Sequence, residues 1–161
     1  SCKWQYRLNA EPLCLKSQLM EIRKGIMEGS LAIKAIDSSI GSDPYRTELI
    51  DRSLQQGTVR VALDNDEIIG YSIVNYSFFQ RPTLEMLIVA EARRGEGFGR
   101  ALLREAQTYM GEHSEFWTST NESNTRMQSL LQSEGFERSG RIENLDPGDP
   151  ELVYFKKLSK T

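Results

Sequence analysis

The segment that most constrains the fold is RRGEGFGR, at residues 93–100. A strand-like apolar run, LEMLIVA at 84–90, precedes it, and an apolar pattern with helical spacing follows it. Glycine lacks a Cβ, so Gly95, Gly97 and Gly99 let backbone N–H groups come close to a ligand. A helix N-terminus also presents unpaired N–H donors and the positive end of the helix dipole. This turn therefore predicts a site for an anion such as phosphate.

Composition narrows the classes of protein to consider. The chain has 161 residues, of which 27% are charged, and a net charge of −3. We expect residues 1–161 to form a single domain. A mildly acidic chain without a basic run argues against nucleic acid as a partner. No apolar stretch reaches the roughly 18 residues of a membrane span, and the N-terminus SCKWQYRLNA lacks a signal core. We therefore expect a cytoplasmic protein with no membrane contact, either a monomer or a homodimer.

The chain offers little for metal binding. Cys2 and Cys14 match no ligand spacing, and His113 is the single histidine. We expect no metal site and two reduced, unpaired cysteines.

The first third of the chain predicts one strand followed by two helices. The stretch WQYRL at 4–8 is typical of a short strand. Apolar residues at helical spacing predict a first helix over 15–26. A second helix is expected over 43–56, with Asp43 as its N-cap and Gly57 as its terminator.

The remaining chain alternates strands with helices. Two strands around an Asp-Asn-Asp turn predict an antiparallel hairpin. One helix is expected after the glycine turn and another over 124–134. The strands are expected at 58–64, 67–76, 83–90, 115–121, 135–142 and 151–158. These elements predict one α/β layer built on a mixed sheet.

Two common phosphate-binding patterns do not fit the turn. A P-loop requires Lys followed by Ser or Thr after its last glycine, whereas Arg100-Ala101 follows Gly99 here. The dinucleotide fingerprint is G-x-G-x-x-G in the first strand–helix unit, whereas this run is G-x-G-x-G and lies past mid-chain.

A third pattern does fit. Arg94-x-x-Gly97-x-Gly99, preceded by Leu-Ile-Val at 87–89, resembles the Q/R-x-x-G-x-G/A signature of the GNAT acetyltransferase superfamily. Residues 124–136 are similar to a second family pattern, N-x-x-[AS]-x-x-[FL]-Y-x-x-x-G-F. With the order of elements, the resemblance covers nearly the whole chain. It implies a GNAT-like α/β domain with a mixed, mostly antiparallel sheet of about seven strands and four flanking helices.

The resemblance also implies acetyl-CoA as cosubstrate. The amides of the glycine turn would hold its pyrophosphate, and the strand edge at 87–89 would pair with its pantetheine, provided that the strand at 115–121 diverges. Asn121 and Asn124 are candidates for the pantetheine, although both also suit helix N-caps. The residues expected at the cosubstrate are Leu87, Ile88, Val89, Arg94, Gly95, Glu96, Gly97, Phe98, Gly99, Arg100, Asn121, Asn124 and Leu131.

Acetyl transfer to an amine requires a base and a way to protonate the leaving thiolate. Glu85 is the candidate base, since it shares a strand face with Leu87 and Val89 unless a bulge intervenes; a solvated or ion-paired carboxylate is the alternative. Where the family commonly has a Tyr that can reach the sulfur, this chain has Leu131, which also suits the apolar face of its helix as a core residue. Its substitutes could be Tyr154, Ser119, Thr120, water or the proton of the amine itself.

The acceptor is the least defined part. In the family its pocket is lined by the segment between the first two helices, here roughly 29–42, and by the loop between the last two strands. Tyr76, Phe78 and Phe79 either wall this pocket or serve in packing. The loop carries four carboxylates, which favour a cationic amine or else are solvated in a rigid turn: Glu143, Asp146, Asp149 and Glu151.

Two functions follow from these patterns. The first is an acetyl-CoA-dependent N-acetyltransferase acting on a primary amine of a small molecule or of a peptide or protein. The second is a non-catalytic acyl-CoA-binding or sensing module on the same scaffold, which the absence of the usual Tyr leaves open. A different phosphorylated ligand at the glycine turn is a further alternative.

Overall fold

The structure is a computed structural model that describes residues 20–159, together with the backbone of two short strands before them. These are β1 (Lys3–Gln5) and β2 (Leu13–Leu15), which pair antiparallel as a separate two-stranded sheet. The α-helices within the described residues are α1 (Ser30–Ile36), α2 (Pro44–Gln56), α3 (Phe98–Tyr109) and α4 (Thr125–Ser133). The other strands are β3 (Met20–Lys24), β4 (Val59–Asp64), β5 (Glu67–Phe78), β6 (Arg81–Val89), β7 (Glu115–Asn121), β8 (Glu137–Ile142) and β9 (Glu151–Lys157).

The main sheet has seven strands in the order β3-β4-β5-β6-β7-β9-β8. Every neighbouring pair is antiparallel except β6 and β7, which are parallel. The expected α/β fold with four helices and a mostly antiparallel sheet of about seven strands is confirmed. Within residues 20–159, no helix is both long enough and apolar enough to cross a bilayer.

The two faces of the sheet are covered by different helices. On one face, Ile33 of α1 and Leu49 and Ile50 of α2 pack against Tyr71 and other apolar residues of β4 and β5. On the other face, residues of α3 and α4 pack against the strands from β5 to β9 in a cluster of Val74, Leu84, Leu103, Ala106, Met110, Phe116, Leu131, Phe136, Leu152 and Tyr154. The sheet is therefore buried from both sides at β5 and β6, the strands that lead to the glycine turn.

Helix α2 forms as its capping residues predict. The Asp43 side chain accepts a hydrogen bond from the Arg46 N–H at 3.2 Å, and Pro44 occupies the first helical position. Gly57 ends the helix at φ 74°, a left-handed conformation that favours glycine.

The predicted helix over 15–26 is wrong. Residues 20–24 form the edge strand β3, which pairs antiparallel with β4, and residues 16–19 lie outside the described part. The sequence MEIRK alternates in polarity at its first four positions, and a spacing of four residues suits either a strand face or a helix face. The first helix, α1, lies instead in a segment that was expected to line the acceptor pocket.

The opening strand is only partly described. β1 covers Trp4 and Gln5 of the predicted 4–8 stretch, and residues 6–8 lie outside the described part. β1 pairs with β2 and not with the main sheet. The seventh strand of the main sheet is therefore β3.

A buried polar network joins the end of α1 to the sheet and to α2. Asp37, 4% exposed, accepts hydrogen bonds from the Tyr71 hydroxyl at 2.6 Å, from Arg46 Nη1 at 3.1 Å and from the Ser39 N–H at 2.9 Å. Burial alone would raise the pKa of Asp37, but these hydrogen bonds outweigh it and hold the pKa below its usual value of 3.8. The ionised carboxylate thus stabilises the α1–α2 connection.

Replacing Asp37 by Asn should lower the free energy of unfolding at pH 7 by about 2–3 kcal/mol, since two donors lose a charged acceptor. The folded-state pKa lies below the unfolded value, so this contribution is present above about pH 4 and is lost as the pH falls through the folded-state pKa. Urea titrations of the wild type and of Asp37→Asn should therefore converge in acid. Asp51→Asn, at a more exposed pair with Lys34, is the matched control and should cost less than about 1 kcal/mol. Equal losses in the two variants would contradict the prediction.

Candidate active site

The sheet opens between β6 and β7. These parallel strands pair only at Thr83 with Trp117 and at Leu84 with Thr118. The Thr118 hydroxyl donates to the Leu84 carbonyl at 2.9 Å, which fastens the last paired position. Beyond it the strands diverge, as the resemblance required of the strand at 115–121.

The divergence leaves one edge of β6 facing the opening. The Ala90 N–H donates to the Ile69 carbonyl of β5 at 2.8 Å. Because antiparallel strands direct alternate residues to alternate sides, the N–H and C=O groups of Leu87 and Val89 point away from β5, into the opening. The Val89 carbonyl accepts a hydrogen bond of 3.4 Å from Arg94 Nε there. The opening thus contains backbone donors and acceptors that suit an extended ligand with amide groups.

The glycine turn closes the end of this opening. Gly95 and Gly97 have φ values of 82° and 94°, where a side chain would be strained. Gly97 is the N-cap of α3, so the N–H groups of the first turn of α3 point out of the helix end. At Gly99 an added Cβ would lie 3.6 Å from Leu130 Cδ2 and 3.7 Å from Val89 Cγ2, which is ordinary contact. Only the first two glycines are therefore required by backbone conformation.

The two arginines before the turn have different roles. Arg93 donates to Asp64 at 2.5 Å and to Glu96 at 2.8 Å, and these hydrogen bonds, the one to Glu96 first, raise its pKa. Its charge is therefore already neutralised by acids of the chain. Arg94 is exposed and makes no ion pair within the described residues. Arg94 is therefore available to bind an anion. Glu96, which was expected to contact the cosubstrate, accepts a hydrogen bond from Arg93 instead.

A buried carboxylate joins the two helices on either side of the opening. Glu134, at the end of α4, accepts hydrogen bonds from Arg100 and, at 3.1 Å, from Arg104 of α3. The hydrogen bond from Arg104 holds the pKa of Glu134 below its usual value; burial opposes this shift and Arg100 reinforces it. Arg100 is thus ion-paired, although it borders the opening and shares this one carboxylate with Arg104.

These elements enclose a cleft of about 840 Å³. Its walls are the free end of β6, the glycine turn, the start of α3 and one side of α4. The cleft is lined by Leu87, Ile88, Val89, Arg93, Arg94, Gly95, Gly97, Phe98, Gly99, Arg100, Ser123, Asn124, Thr125, Arg126, Met127, Ser129, Leu130 and Ser133. Most of the residues expected at the cosubstrate therefore lie together.

Three of the expected residues do not lie on this cleft. Leu131 is completely buried in the core between α4 and the sheet. The Asn121 amide donates to Asp146 at 2.8 Å and to the Asp149 carbonyl at 3.2 Å, so it holds the β8–β9 loop. Glu96 turns to Arg93, as described above. Asn124 does border the cleft, but its side chain also caps α4 by accepting from the Met127 N–H at 3.1 Å.

A β-bulge lies at Glu85. Val74 pairs with Leu84 and the preceding residue of β5, Ile73, pairs with Met86, so Glu85 is the additional residue of β6. Leu84 and Leu87, three residues apart, consequently pack in the same cluster. The alternation expected to place Glu85 on one face with Leu87 and Val89 is therefore interrupted. The Glu85 carboxylate accepts a hydrogen bond from the Asn75 side chain, an uncharged partner.

Glu85 and Ser119 both lie at the point where β6 and β7 separate. Each follows a residue of the last paired position, Leu84 in β6 and Thr118 in β7. Ser119 is exposed, and its side chain lies near the Glu151 carboxylate. Burial raises the pKa of Glu151; the hydrogen bond from Ser119 opposes this shift, and the charges of Asp146 and Asp149 reinforce it. Glu85 of β6 and Ser119 of β7 thus lie directly beyond the last paired position, and Glu151 of β9 lies beside Ser119.

The other two candidate proton donors face the core. Tyr154 is 1% exposed and packs in the cluster beneath α3 and α4, and Thr120 is 7% exposed. Alternation along β7 and β9 directs Ser119 and Glu151 to the opposite face. Among the hydroxyl side chains considered, Ser119 is the accessible one.

The acidic loop is largely satisfied by its own contacts. Asp149 accepts from the Ser123 N–H at 2.9 Å and from its hydroxyl at 2.5 Å, Asp146 accepts from Asn121, and Glu143 accepts from Arg141. Of the four carboxylates only Glu143 is paired with a cation, whereas Asp146 and Asp149 accept from uncharged donors and keep their charges near Glu151.

The aromatic residues near the β5–β6 turn differ in exposure and packing. Phe78 packs on Trp117 with ring centroids 5.6 Å apart, whereas Phe79 is 81% exposed at the tip of the turn. The exposed Tyr76 hydroxyl lies 2.8 Å from His113 Nε2. Phe78 therefore has a packing role, and the other two remain on the surface.

Several residues of the site gave no signal in the sequence. Glu134 accepts a hydrogen bond from Arg100, which is 34 positions away along the chain, and Asp64 accepts one from Arg93, which is 29 positions away. Asn75 reaches Glu85 only because β5 and β6 pair. Arg126 could have been singled out as a cation in the first turn of a predicted helix, where it opposes the helix dipole.

Comparisons with known proteins agree with this geometry. The sequence model of the Acetyltransferase (GNAT) family matches residues 27–136. An acetyltransferase of the GNAT family from Bacillus cereus ATCC 10987 is 30% identical, with a TM-score of 0.77 over 88% of this chain and 99% of that one. The ribosomal-protein-S18-alanine N-acetyltransferase from Escherichia coli is 18% identical, with a TM-score of 0.75 over 89% of this chain and 96% of that one. The yncA structure from Salmonella typhimurium with its cofactor acetyl-CoA is 18% identical, with a TM-score of 0.72 over the same shares, 89% and 96%.

The glycine turn can be tested by a matched pair of substitutions. Gly97→Ala should lower the free energy of unfolding by about 1–2 kcal/mol, because φ is 94° there. Gly99→Ala should leave it unchanged or raise it by up to about 1 kcal/mol, since Ala favours the helix and the added Cβ has room. Urea titration measures both. The same loss in both variants would mean that space, and not backbone conformation, requires these glycines.

Proposed function

This chain belongs to the Acetyltransferase (GNAT) family, and we propose that it is an N-acetyltransferase that transfers the acetyl group of acetyl-CoA to a primary amine. The observation that carries the proposal is the separation of β6 from β7 directly beside the glycine turn. A thioester lying in this opening would come between Glu85 and Ser119, where an amine can approach from the exposed face.

The residues present fit acetyl-CoA. The backbone groups of Leu87 and Val89 suit the two amides of the pantetheine, which would add to the edge of β6 as a further strand. The N–H groups at the start of α3 suit the pyrophosphate, and so does Arg94, which makes no ion pair within the described residues. The cleft of about 840 Å³ has the size of a cofactor site. Bound acetyl-CoA would supply an activated acyl group, and the chain would supply orientation and proton transfer.

Glu85 is the proposed base. An amine is mostly protonated at neutral pH and must lose a proton before it attacks. The Glu85 carboxylate keeps one uncharged partner, Asn75, so no cation of the described residues competes for it. A backbone N–H near Leu87 or Val89 would polarise the acyl carbonyl, and Ser119, water or the amine proton would neutralise the thiolate.

The acceptor is proposed to be the primary amine of a small molecule or of a peptide, in its cationic form on arrival. Glu85 and Glu151 place two carboxylates near the base of the opening, where β6 and β7 separate, and these attract a cation. The Escherichia coli neighbour, named for acetylating an alanine of a ribosomal protein, supports a peptide amine through fold likeness. The binding-only alternative is not favoured by the family match, and release of free thiol with an amine present distinguishes the two.

Binding of CoA tests the cleft. Arg94→Gln should weaken CoA binding about tenfold in calorimetric titration, because it removes a cation that has no acidic partner within the described residues. Arg81→Gln is the matched control: it removes the same charge at the other end of β6, where Arg81 pairs with Glu115, and should leave CoA affinity unchanged. If both variants bound CoA like the wild type, the assignment of the pyrophosphate to this turn would be wrong.

The role of Glu85 can be tested by the pH dependence of turnover. The wild-type kcat/KM should fall in acid as the base becomes protonated. Glu85→Gln should lower kcat/KM about 100-fold near neutral pH and remove that acidic limb, because an amide cannot accept the proton. Thiol release with a panel of diamines and short peptides measures both, with Glu115→Gln as the control. An acidic limb that persists in Glu85→Gln would transfer the role of base to another group, Glu151 first.

A further inference from the structure

The cleft differs in charge from the rest of the molecule. The chain carries a net charge of −3. Among the described residues that line the cleft, however, four are arginines and none is an aspartate or a glutamate. A surface of this kind recognises an anion with several charges.

Two of the four arginines already have acidic partners. Arg93 is paired with Asp64 and Glu96, and Arg100 is paired with Glu134. Arg94 and Arg126 remain, and neither takes part in an ion pair within residues 20–159. The cleft thus presents two available cations.

These two cations lie on opposite sides of the cleft. Arg94 follows the end of β6, and Arg126 lies in the first turn of α4, which follows β7. Because β6 and β7 are parallel, both positions are at the same edge of the sheet, where the cleft opens. A ligand whose extended arm runs between the strands would leave its charged end between Arg94 and Arg126.

Arg126 has no role in stabilising its own helix. It is exposed, and a cation in the first turn of a helix opposes the helix dipole. The acid four residues before it, Glu122, is paired with Arg141 at 2.6 Å, and the residue four positions after it is Leu130. Ser129, three residues on, lies on the same side of α4 and also borders the cleft.

CoA carries two separate phosphate groups. Its pyrophosphate is accounted for by Arg94 and the start of α3 on the β6 side. Its 3′-phosphate carries about two further negative charges at neutral pH, and the fork of an arginine matches a phosphate in geometry. We propose that Arg126 binds the 3′-phosphate of CoA and makes this cleft prefer CoA to 3′-dephospho-CoA. This inference rests on the proposed function.

The test is calorimetric titration of the wild type, Arg126→Gln and Arg94→Gln with CoA and with 3′-dephospho-CoA. The wild type should bind CoA about tenfold more tightly than 3′-dephospho-CoA. Arg126→Gln should abolish that preference and leave the affinity for 3′-dephospho-CoA unchanged. Arg94→Gln should weaken both ligands by the same factor and keep the preference. Thermal unfolding should show Arg126→Gln folded and at least as stable as the wild type, since an unfavourable charge is removed from the helix start.

Other outcomes overturn the inference. If the wild type shows no preference, or Arg126→Gln retains it, the 3′-phosphate lies elsewhere. If Arg126→Gln weakens both ligands equally, Arg126 contacts the part that they share. In each of these cases CoA still binds, so the proposed function stands. If the wild type binds neither ligand, the proposed function fails, and this inference fails with it.

Discussion

The opening between β6 and β7 is the constraint on which the other parts of the site depend. Backbone N–H and C=O groups inside a protein need partners, and a strand that loses its neighbour leaves a row of them unpaired. Here the loss begins after Leu84 and continues to the end of β6. Such an edge is stable next to water or next to a ligand that supplies the missing pairing. The main sheet therefore has an opening between β6 and β7 that could accommodate one extended segment.

Two kinds of contact keep the opening from closing or spreading. At its base, the Thr118 hydroxyl holds the Leu84 carbonyl, and the residues around that position pack in the core with Phe116 and Tyr154. At its mouth, Glu134 joins α4 to Arg100 and Arg104 of α3. Both helices that border the cleft are thereby held at set positions relative to the strands.

Charge is divided between structure and recognition in the same region. Near the turn, Arg93 and Arg100 have acidic partners and stabilise the fold. Arg94, which makes no ion pair within the described residues, is available to bind a ligand. The pattern of letters RRGEGFGR does not show this division, because the partners Asp64 and Glu134 are distant in sequence. A similar division applies to the acids, where Asp146 and Asp149 hold the β8–β9 loop and Glu151 remains at the opening.

The sequence by itself determined the features whose causes are local. The glycine turn between a strand and a helix, the Asp43 cap and the hairpin of β4 and β5 follow from a few adjacent residues, and all are observed. So does the family, because its signature lies in one turn and one helix.

Tertiary structure decided what depends on residues far apart in the chain. β3 is a strand because β4 offers it an edge, although its apolar spacing also suited a helix. The bulge at Glu85 appears only when β5 and β6 are paired, and the burial of Tyr154 appears only when α3 and α4 pack on the sheet. Pairing and burial are relations between segments, so the free energy that selects them cannot be assigned to either segment alone.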